Sequence, residues 1–377
     1  MATIIDGYRQ RDDLTGERRI YDVKDDIETI HPEQSEVTVL FSKVASQETT
    51  DPKYFMHSVD EYPEWVTVNG AHNSSTTTLT VTDTSMLQDG DMLINPATDE
   101  RILITDVAST TSLTVLRGHG GSADSILAAE QLLLVSDSHE EGAVTRSIKS
   151  VQVDEQYNYT QIIKTEWGVT NTEMNSKSRG KTSMEELARE KLYLHRKKIE
   201  KALIYSTKAE ITTGDNTQRT TDGFINMLTS NIYDFSMYPT EYEMDNFLEA
   251  PFTYGSKRKW FICGPPWVTL FTRWAKGKLQ ISDNAKKYGL PAMKSYESAH
   301  GSIDIIKSHV LAGTYYKYWG MLLDPKYAKM RYLSNRKWRM YENVQLNDAD
   351  GKKNYLLSEI GAQSQVPDAQ GLAKFRQ

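Results

Sequence analysis

The residues that most often carry covalent or metal chemistry are sparse in this chain of 377 residues. Cys263 is the only cysteine, and it lies in the apolar run Trp260-Phe261-Ile262-Cys263, which indicates a buried core thiol rather than a nucleophile. A lone cysteine also excludes an intramolecular disulfide and a multi-cysteine zinc site. His139-Glu140-Glu141 lacks the second histidine that a zinc-binding helix carries one turn later. We therefore expect no catalytic residue, no cofactor and no metal site.

Signatures of phosphate binding and of serine hydrolysis are missing as well. The sequence has no G-x-x-x-x-G-K-[ST], no G-x-G-x-x-G after a strand and no G-x-S-x-G. The cluster at 118–121 contains three glycines but has no helix pattern behind it, which favours a hairpin loop over a phosphate cradle. The basic–aromatic runs 336–341 and 257–260 could face nucleic acid, but we favour amphipathic strand ends whose stems pack on aromatic rings.

The composition describes a soluble chain with ample core material. It is 38% hydrophobic and 25% charged, and its length predicts two to three packing units. Its 44 Lys and Arg stand against 51 Asp and Glu, so the net charge of −7 disfavours dedicated nucleic-acid binding. The 21 Tyr and 7 Trp suit surfaces that become buried on assembly. With no secretory signal and no run near ~18 apolar residues, we expect no membrane association.

The first half of the chain changes texture twice. Residues 1–35 are charge-dense, which indicates a solvated tail or an arm that orders on a partner, and Val37–Val44 is a short strand or docking segment. Between 66 and 137, short β-like runs recur roughly every ten residues and turn signals separate them. This spacing predicts an inserted module, a small β-barrel or sandwich.

From Val151 to Val169, apolar and polar residues alternate with a period of two over nearly twenty residues. A single strand of that length would extend ~60 Å, which predicts one leg of a long two-stranded arm with Tyr54–Val68 as the other leg. Its apolar face would need cover from a neighbouring subunit, so that Trp167→Asp should block assembly and leave the monomer folded. The alternative is two ordinary strands with a bulge near Glu155. The candidate subunit-interface residues are Val151, Val153, Tyr157, Tyr159, Ile163, Trp167 and Val169.

The remainder predicts an α+β architecture. A capping box at Thr182 or Ser183 begins a helix that runs to about Ser206. Strands and helices then alternate, and the tail from 364 is polar and expected to be frayed. A helix is predicted to start at Pro266. The predicted strands are Lys259–Cys263 before this helix and, after it, Ile303–Ile306, Tyr318–Leu323, Lys329–Leu333 and Asn354–Ile360, with the Asp324-Pro325 turn between the third and the fourth.

The order of these parts resembles the major capsid proteins of tailed bacteriophages, the Hong Kong 97-type fold, in a subgroup with a β-rich insertion in the extended loop. The resemblance spans about Asp51 to Ile360. Each motif alone is weak evidence for the family, and the order of the motifs along the chain makes the resemblance specific. The motifs are Leu87-Gln88-Asp89-Gly90-Asp91, Leu113 to Gly118 before Gly120-Gly121, Glu140-Glu141-Gly142, Asn158 to Ile162, the helix at 183–206, Asp222-Gly223-Phe224, and Leu323 to Tyr327 before Met330 to Leu333.

The resemblance implies a division of the chain and a function. The expected parts are an N-terminal arm (1–50), an extended loop (51–65 and 138–178), the inserted module (66–137), a peripheral domain (179–221 and 336–363) with spine helix 183–206, an axial domain (222–335) and a C-terminal tail (364–377). Copies would assemble as hexamers and pentamers into an icosahedral shell around double-stranded DNA, without sequence-specific binding and without enzymatic activity.

The implied partners are other copies of the chain, with portal, scaffolding and decoration proteins as further candidates. The implied location is the capsid of the virion, assembled in the host cytoplasm. Two alternatives stay open from the residues: another virion structural protein, such as a tail, neck or decoration component, and more remotely a soluble α+β enzyme.

Overall fold

A computed structural model describes residues 36–176, 184–274, 279–281, 294–313 and 315–376. Two compact units divide the chain: residues 57–155, here called the module, and the remainder, here called the body. The expected arm at 1–35 lies outside the described residues. The helices are α1 (Glu36–Lys43), α2 (Asn171–Asn175), α3 (Met184–Tyr205), α4 (Phe224–Met227), α5 (Glu241–Thr253) and α6 (Pro265–Trp274).

The strands are more numerous than the helices, as expected for this α+β chain. They are β1 (Ser46–Thr49), β2 (Lys53–Ser58), β3 (Trp65–Thr67), β4 (Thr78–Thr80), β5 (Asp91–Asn95), β6 (Glu100–Ser109), β7 (Ser112–Leu116), β8 (Gln131–Asp137), β9 (Asp154–Tyr159), β10 (Gln161–Thr170), β11 (Ala209–Thr213), β12 (Asn216–Thr220), β13 (Ile232–Phe235), β14 (Arg258–Cys263), β15 (Leu279–Ile281), β16 (Lys294–Glu297), β17 (Ser302–Lys307), β18 (Trp319–Leu323), β19 (Lys329–Leu333), β20 (Arg339–Tyr341), β21 (Gly351–Gln363) and β22 (Gly371–Phe375).

Two large sheets form the core of the body. The first has the order β1-β19-β21-β10, with β20 also paired to β21. The second has seven strands in the order β13-β22-β18-β14-β17-β16-β15. The Asp324-Pro325 turn links β18 of one sheet to β19 of the other, so the strands that flank it form a strand–turn–strand unit and not a hairpin. Cys263 is fully buried in β14, as predicted, and burial raises the pKa of its thiol.

The long helix predicted for 183–206 is confirmed as α3, and only its C-terminal half is buried. Its buried residues begin only at His195 and continue to Ile204, where they join the core of the first sheet. His195 is fully buried and bridges the hydroxyls of Thr165 on β10 (3.0 Å) and Ser358 on β21 (2.9 Å). This helix is thereby tied to two strands by polar contacts as well as by apolar packing.

His195 should make the subunit sensitive to acid. Burial, with a smaller effect of Lys198, lowers the pKa of its imidazole from 6.5 to about 4, so the folded state holds the ring neutral. Because the folded pKa lies below the unfolded one, protonation of this ring does not reduce the free energy of unfolding above pH 6.5. As the pH falls toward 4, it reduces that free energy by about 3 kcal/mol. Urea unfolding across that range should show the decline in the native chain and a flatter profile in His195→Gln. Equal slopes in the two proteins would contradict this assignment.

The module is an antiparallel six-stranded sheet, ordered β3-β8-β5-β6-β7-β4, around its own apolar core. Its two end strands also meet, because Val68 and Val81 form a β-bridge and the Asn69 amide donates to the Thr80 carbonyl (2.8 Å). The sheet therefore closes on itself, in agreement with the small β-barrel predicted for 66–137. Gly118 takes a positive φ of 62° in the loop after β7, which leads to β8. Because β7 and β8 do not pair with each other, the hairpin loop predicted from the glycine cluster is wrong.

A buried ion pair anchors that loop. The Arg117 guanidinium donates twice to the Glu100 carboxylate, at 2.7 Å each, and the amides of Gly118 (3.1 Å) and Asp124 (3.2 Å) donate to the same group. The exposed fractions of the Arg117 and Glu100 side chains are 5% and 0%. Burial alone would raise the pKa of Glu100, but these hydrogen bonds lower it overall.

Arg117→Met should destabilise the protein by about 3–5 kcal/mol, because it leaves a buried carboxylate without its cation. The readout is chemical unfolding together with proteolysis in the 118–124 loop. Arg101→Met is the matched control, since Arg101 is exposed and its side chain donates to the Asp99 carbonyl (3.3 Å) and to no carboxylate among the described residues. A loss in the control equal to that in Arg117→Met would show that the ion pair is not what stabilises the loop.

Residues 36–50, which the resemblance places in the N-terminal arm, pack onto the body, because α1 buries Phe41 against Phe224 (5.0 Å between ring centroids) and β1 pairs with β19. Two expectations about the body need correction. Val37–Val44 lies in a helix and its end, not in a strand. The tail is not frayed over its described residues 364–376, because β22 lies between β13 and β18 and buries Leu372, Ala373 and Phe375.

The long arm also differs from the prediction. Its period-two segment divides into β9 and β10, which join different sheets: β9 pairs with β2, and β10 pairs with β21 over ten residues. The break falls at Thr160, whose amide donates to the Pro52 carbonyl (2.8 Å) and whose hydroxyl donates to Glu359 (2.9 Å). The alternative of two ordinary strands was closer, with the break at Thr160 instead of Glu155.

Candidate assembly surface

A buried polar network fixes the β2–β9 ladder to the body. The Tyr54 hydroxyl (2.5 Å) and the Asn158 amide (2.7 Å) both donate to the Ala362 carbonyl of β21. The Asn158 side-chain oxygen accepts from the Asp222 amide (2.8 Å), and the Thr221 hydroxyl accepts from the Ala362 amide (3.0 Å). Burial raises the pKa of Tyr54 and keeps its hydroxyl protonated as a donor.

Gly361 makes this close approach possible. A Cβ at this position would lie 2.5 Å from the Tyr54 hydroxyl oxygen and 2.7 Å from the Tyr159 carbonyl oxygen. Both are shorter than a real carbon contact, so the strand needs glycine here because of space. The base of the ladder is therefore held in one position, and the residues that it carries outward are presented in a fixed geometry.

The outward residues of the ladder form a cationic aromatic patch. The ammonium nitrogens of Lys53 and Lys208 lie 4.2 and 4.1 Å from the centroid of the Tyr157 ring. Phe55 packs beside it, with 6.2 Å between ring centroids. We call Lys53, Phe55, Tyr157 and Lys208 the aromatic–lysine surface. Phe55 is 43% exposed and Tyr157 37% exposed, so two large rings face outward on a ladder of only two strands.

A second ladder supports this surface from the side. The two-residue turn at Gly214 and Asp215 connects β11 to β12, and Gly214 takes a φ of 60°. Glu210 on β11 accepts a hydrogen bond from the Tyr159 hydroxyl, which raises the pKa of the tyrosine, and pairs with Arg219 (2.8 Å). The β11–β12 hairpin is exposed over most of its length.

The seven residues predicted for a subunit interface are divided by the structure. Tyr159, Ile163 and Trp167 are buried within the subunit, at 8%, 7% and 5% exposure, so they cannot present an apolar face to a neighbour. The two on β10 lie on the strand that packs under α3, which explains their burial. Val153 (50% exposed) and Tyr157 stay outside, with Val151 and Val169 half-buried, and an interface role stays a prediction for these four.

The basic–aromatic run at 336–341 makes internal contacts, as the favoured interpretation predicted. Arg336 pairs with Glu359 (2.9 Å), and Lys337 donates to the Ser42 carbonyl (2.9 Å) while lying over the Tyr332 ring.

The members of the buried polar network that sequence reasoning missed are Tyr54, Thr221 and Ala362. Only the Asn158-Tyr159-Thr160 motif pointed to their location, because an asparagine inside an alternating strand suggests a buried amide.

The decisive observation is a match to one family over nearly the whole chain. The model of the SU10 major capsid protein family matches residues 8–374. The chain belongs to the SU10 major capsid protein family. No curated protein sequence matches it significantly.

Solved structures similar to this family member are distant in sequence. A capsid chain of a native GTA particle is 8% identical, with a TM-score of 0.50 over 96% of this chain and 97% of that one. A chain of Mycobacterium phage Patience is 7% identical (TM-score 0.46, 91% and 84% covered), and one of the SrpI encapsulin of Synechococcus elongatus is 11% identical (TM-score 0.40, 59% and 77% covered). The Hong Kong 97-like capsid fold predicted from the sequence is confirmed.

Membership of the SU10 major capsid family gives the protein its function. It is a structural subunit that associates with copies of itself to form the shell of a phage, and it is not an enzyme. Within the described ranges, no group of three His, Cys, Asp or Glu side chains is arranged to hold a metal ion. None of the helices in these ranges combines the length and apolar character that a membrane-spanning segment needs.

Proposed function

We propose that this capsid subunit assembles as hexamers and pentamers into an icosahedral shell that encloses double-stranded DNA without reading its sequence. In this proposal the residues at 51–65 and 138–178 form an extended loop into which residues 66–137 are inserted, 179–221 and 336–363 form a peripheral domain, and 222–335 form an axial domain to which β22 also belongs. Portal, scaffolding and decoration proteins are the proposed heterologous partners, and assembly takes place in the host cytoplasm.

The aromatic–lysine surface is the observation that carries self-association. A two-stranded ladder is marginally stable by itself, and this one exposes Phe55 and Tyr157 on residues that a buried network holds in place. Tyrosine and phenylalanine are enriched at protein–protein interfaces, whereas lysine is depleted there, so the two rings carry this argument. Covering them with a neighbouring copy would bury their apolar area and complete the ladder.

The test is the assembly state of the purified chain. We expect negative-stain images to show closed shells or capsomer rings for the native protein, and Tyr157→Asp to remain folded but to lose most of its assembled fraction. Ile211→Asp, at a more exposed site on the β11–β12 hairpin, is the comparison for a charge placed outside the aromatic–lysine surface. A native protein that stays monomeric at high concentration would refute the proposed function.

A further inference from the structure

A basic–aromatic cleft opens at one end of the seven-stranded sheet, where β13 and β22 end and β18 begins. Its volume is about 500 Å³, within the range of sites that accept a few side chains or a small ligand. Neither the buried network nor the aromatic–lysine surface contributes to it. The lining residues are Asp234, Tyr315, Lys317, Tyr318, Trp319, Lys374, Phe375 and Arg376.

The cleft is cationic and aromatic at once. Lys374 lies over the Trp319 ring (4.4 Å to the centroid), and Lys317 over the Tyr318 ring (4.7 Å). Arg376 is 79% exposed and meets the single carboxylate of the cleft, Asp234, at 3.3 Å. Three cations therefore face one acid on a body of aromatic rings, a composition typical of the anchor points of interfaces.

A loop elsewhere on the body has the opposite character. Residues 342–350 connect β20 to β21 and contain Glu342, Asp348 and Asp350 with no Lys or Arg. Almost the whole loop is exposed, and Leu346 at its centre is 77% exposed. Backbone contacts hold its base, since the Val344 amide donates to the Lys353 carbonyl (2.8 Å). It thus projects an apolar side chain flanked by carboxylates.

We infer that the cleft of one copy receives the 342–350 loop of a second copy. The charges are complementary, and the aromatic walls suit Leu346. The cleft and the loop lie on different sheets of the body, so the contact joins unlike surfaces, and such contacts build rings when the rotation closes. The inference rests on the proposed function, because it identifies one contact between the copies that form the shell.

Charge reversal in the full-length protein tests this pairing. The cleft variant is Lys374→Glu with Arg376→Glu, and the loop variant is Glu342→Lys with Asp348→Lys. Each should lower the assembled fraction, measured by sedimentation and negative stain, by about tenfold or more, since like charges then oppose each other. A protein that carries all four changes restores opposite charges and should recover shells to within about twofold of the native level.

Two further measurements separate the outcomes. Lys201→Glu with Lys326→Glu changes the net charge as the cleft variant does, at exposed positions outside the cleft, and should assemble normally. Thermal unfolding shows that each variant is folded. The inference is overturned if the cleft variant forms shells as the native protein does. A gel-shift assay then tests the other use of a cationic cleft, since a variant that assembles normally but no longer retains single-stranded or duplex oligonucleotides would assign the cleft to nucleic acid. The inference is also overturned if the fourfold variant, though folded, fails to recover. Absence of native shells would instead count against the proposed function.

Discussion

Trp167→Asp is expected to abolish the folded subunit, and not merely its assembly. Trp167 is 5% exposed on the face of β10 that also carries Thr165, the partner of His195 in α3. Removing a buried tryptophan costs about 3–5 kcal/mol, and an unpaired carboxylate in the same space adds a further penalty. The sum approaches the whole stability of a typical domain, about 5–15 kcal/mol. The readouts are soluble yield, circular dichroism and the urea midpoint.

Two controls make this expectation specific. Trp167→Phe keeps a large ring and removes an indole N–H that has no hydrogen-bond partner among the described residues, so it should cost about 1 kcal/mol or less. Tyr157→Asp places the same charge at an exposed ring and should leave the monomer folded. A soluble, cooperatively unfolding Trp167→Asp protein would contradict the burial of this side chain in the subunit.

The error about Trp167 shows what an alternating pattern can and cannot specify. Period-two spacing identified a strand and its apolar face, and β10 confirms both between Gln161 and Thr170. The pattern is the same whether a neighbouring subunit or the chain's own helix covers that face. The covering element, α3, begins after 183 and was itself predicted from its capping signal, but the contact between the two is a property of tertiary packing.

Local signals were sufficient where the partner lies nearby in the chain, and insufficient where it does not. The module followed from short strands and turn residues, since each of its hairpins pairs neighbouring segments. The last strand, β22, was missed because only five residues form it and its partners β13 and β18 are distant in sequence. The polar residues before it, 363–368, suggested a frayed end, but Gln363, Ser364 and Gln370 are buried.

The buried network at the ladder base was hidden for a related reason. Asn158 is recognisable as a polar residue in an alternating strand, but its partner is a main-chain carbonyl, that of Ala362, which has no sequence signal. Gly361 gave no local hint either, because its φ lies outside the range that favours glycine and the requirement is space beside Tyr54. Sites made of backbone atoms become visible only when the strands are placed.

A buried ion pair lies at the junction of the two large sheets of the body. Lys259 and Asp324 are both 0% exposed, with 3.0 Å between the ammonium nitrogen and the carboxylate oxygen. Lys259 also donates to the carbonyls of Tyr254 (3.1 Å) and Ala369 (2.8 Å). The pair therefore connects β14, the turn after β18 and the segment before β22.

Asp324→Asn should destabilise the subunit by about 3–5 kcal/mol, because it leaves a buried ammonium group with neutral partners only. Lys259→Met should cost less. The Asp324 carboxylate then still accepts from the Ser256 amide (2.7 Å), the Ser256 hydroxyl (2.9 Å) and the Lys326 amide (2.9 Å). In the double variant the loss should be smaller than the sum of the two, by about 1–3 kcal/mol of coupling. If the loss in the double variant equals the sum of the two single losses, the two groups do not act as a pair.

The pH dependence gives the pair a signature that simple loss of packing lacks. Burial lowers the pKa of Lys259, and the Asp324 carboxylate raises it in part, so Asp324→Asn should lower it further. A lysine whose folded pKa lies below its unfolded value contributes stability that increases as the pH rises toward about 10.4. The deficit of Asp324→Asn relative to the native protein should therefore shrink between pH 7 and 9 in urea unfolding. Lys259→Met removes the titrating group, so its stability gains nothing from this residue as the pH rises and its deficit should not shrink. A deficit of Asp324→Asn that does not shrink either would mean that the ammonium charge is not what the carboxylate compensates.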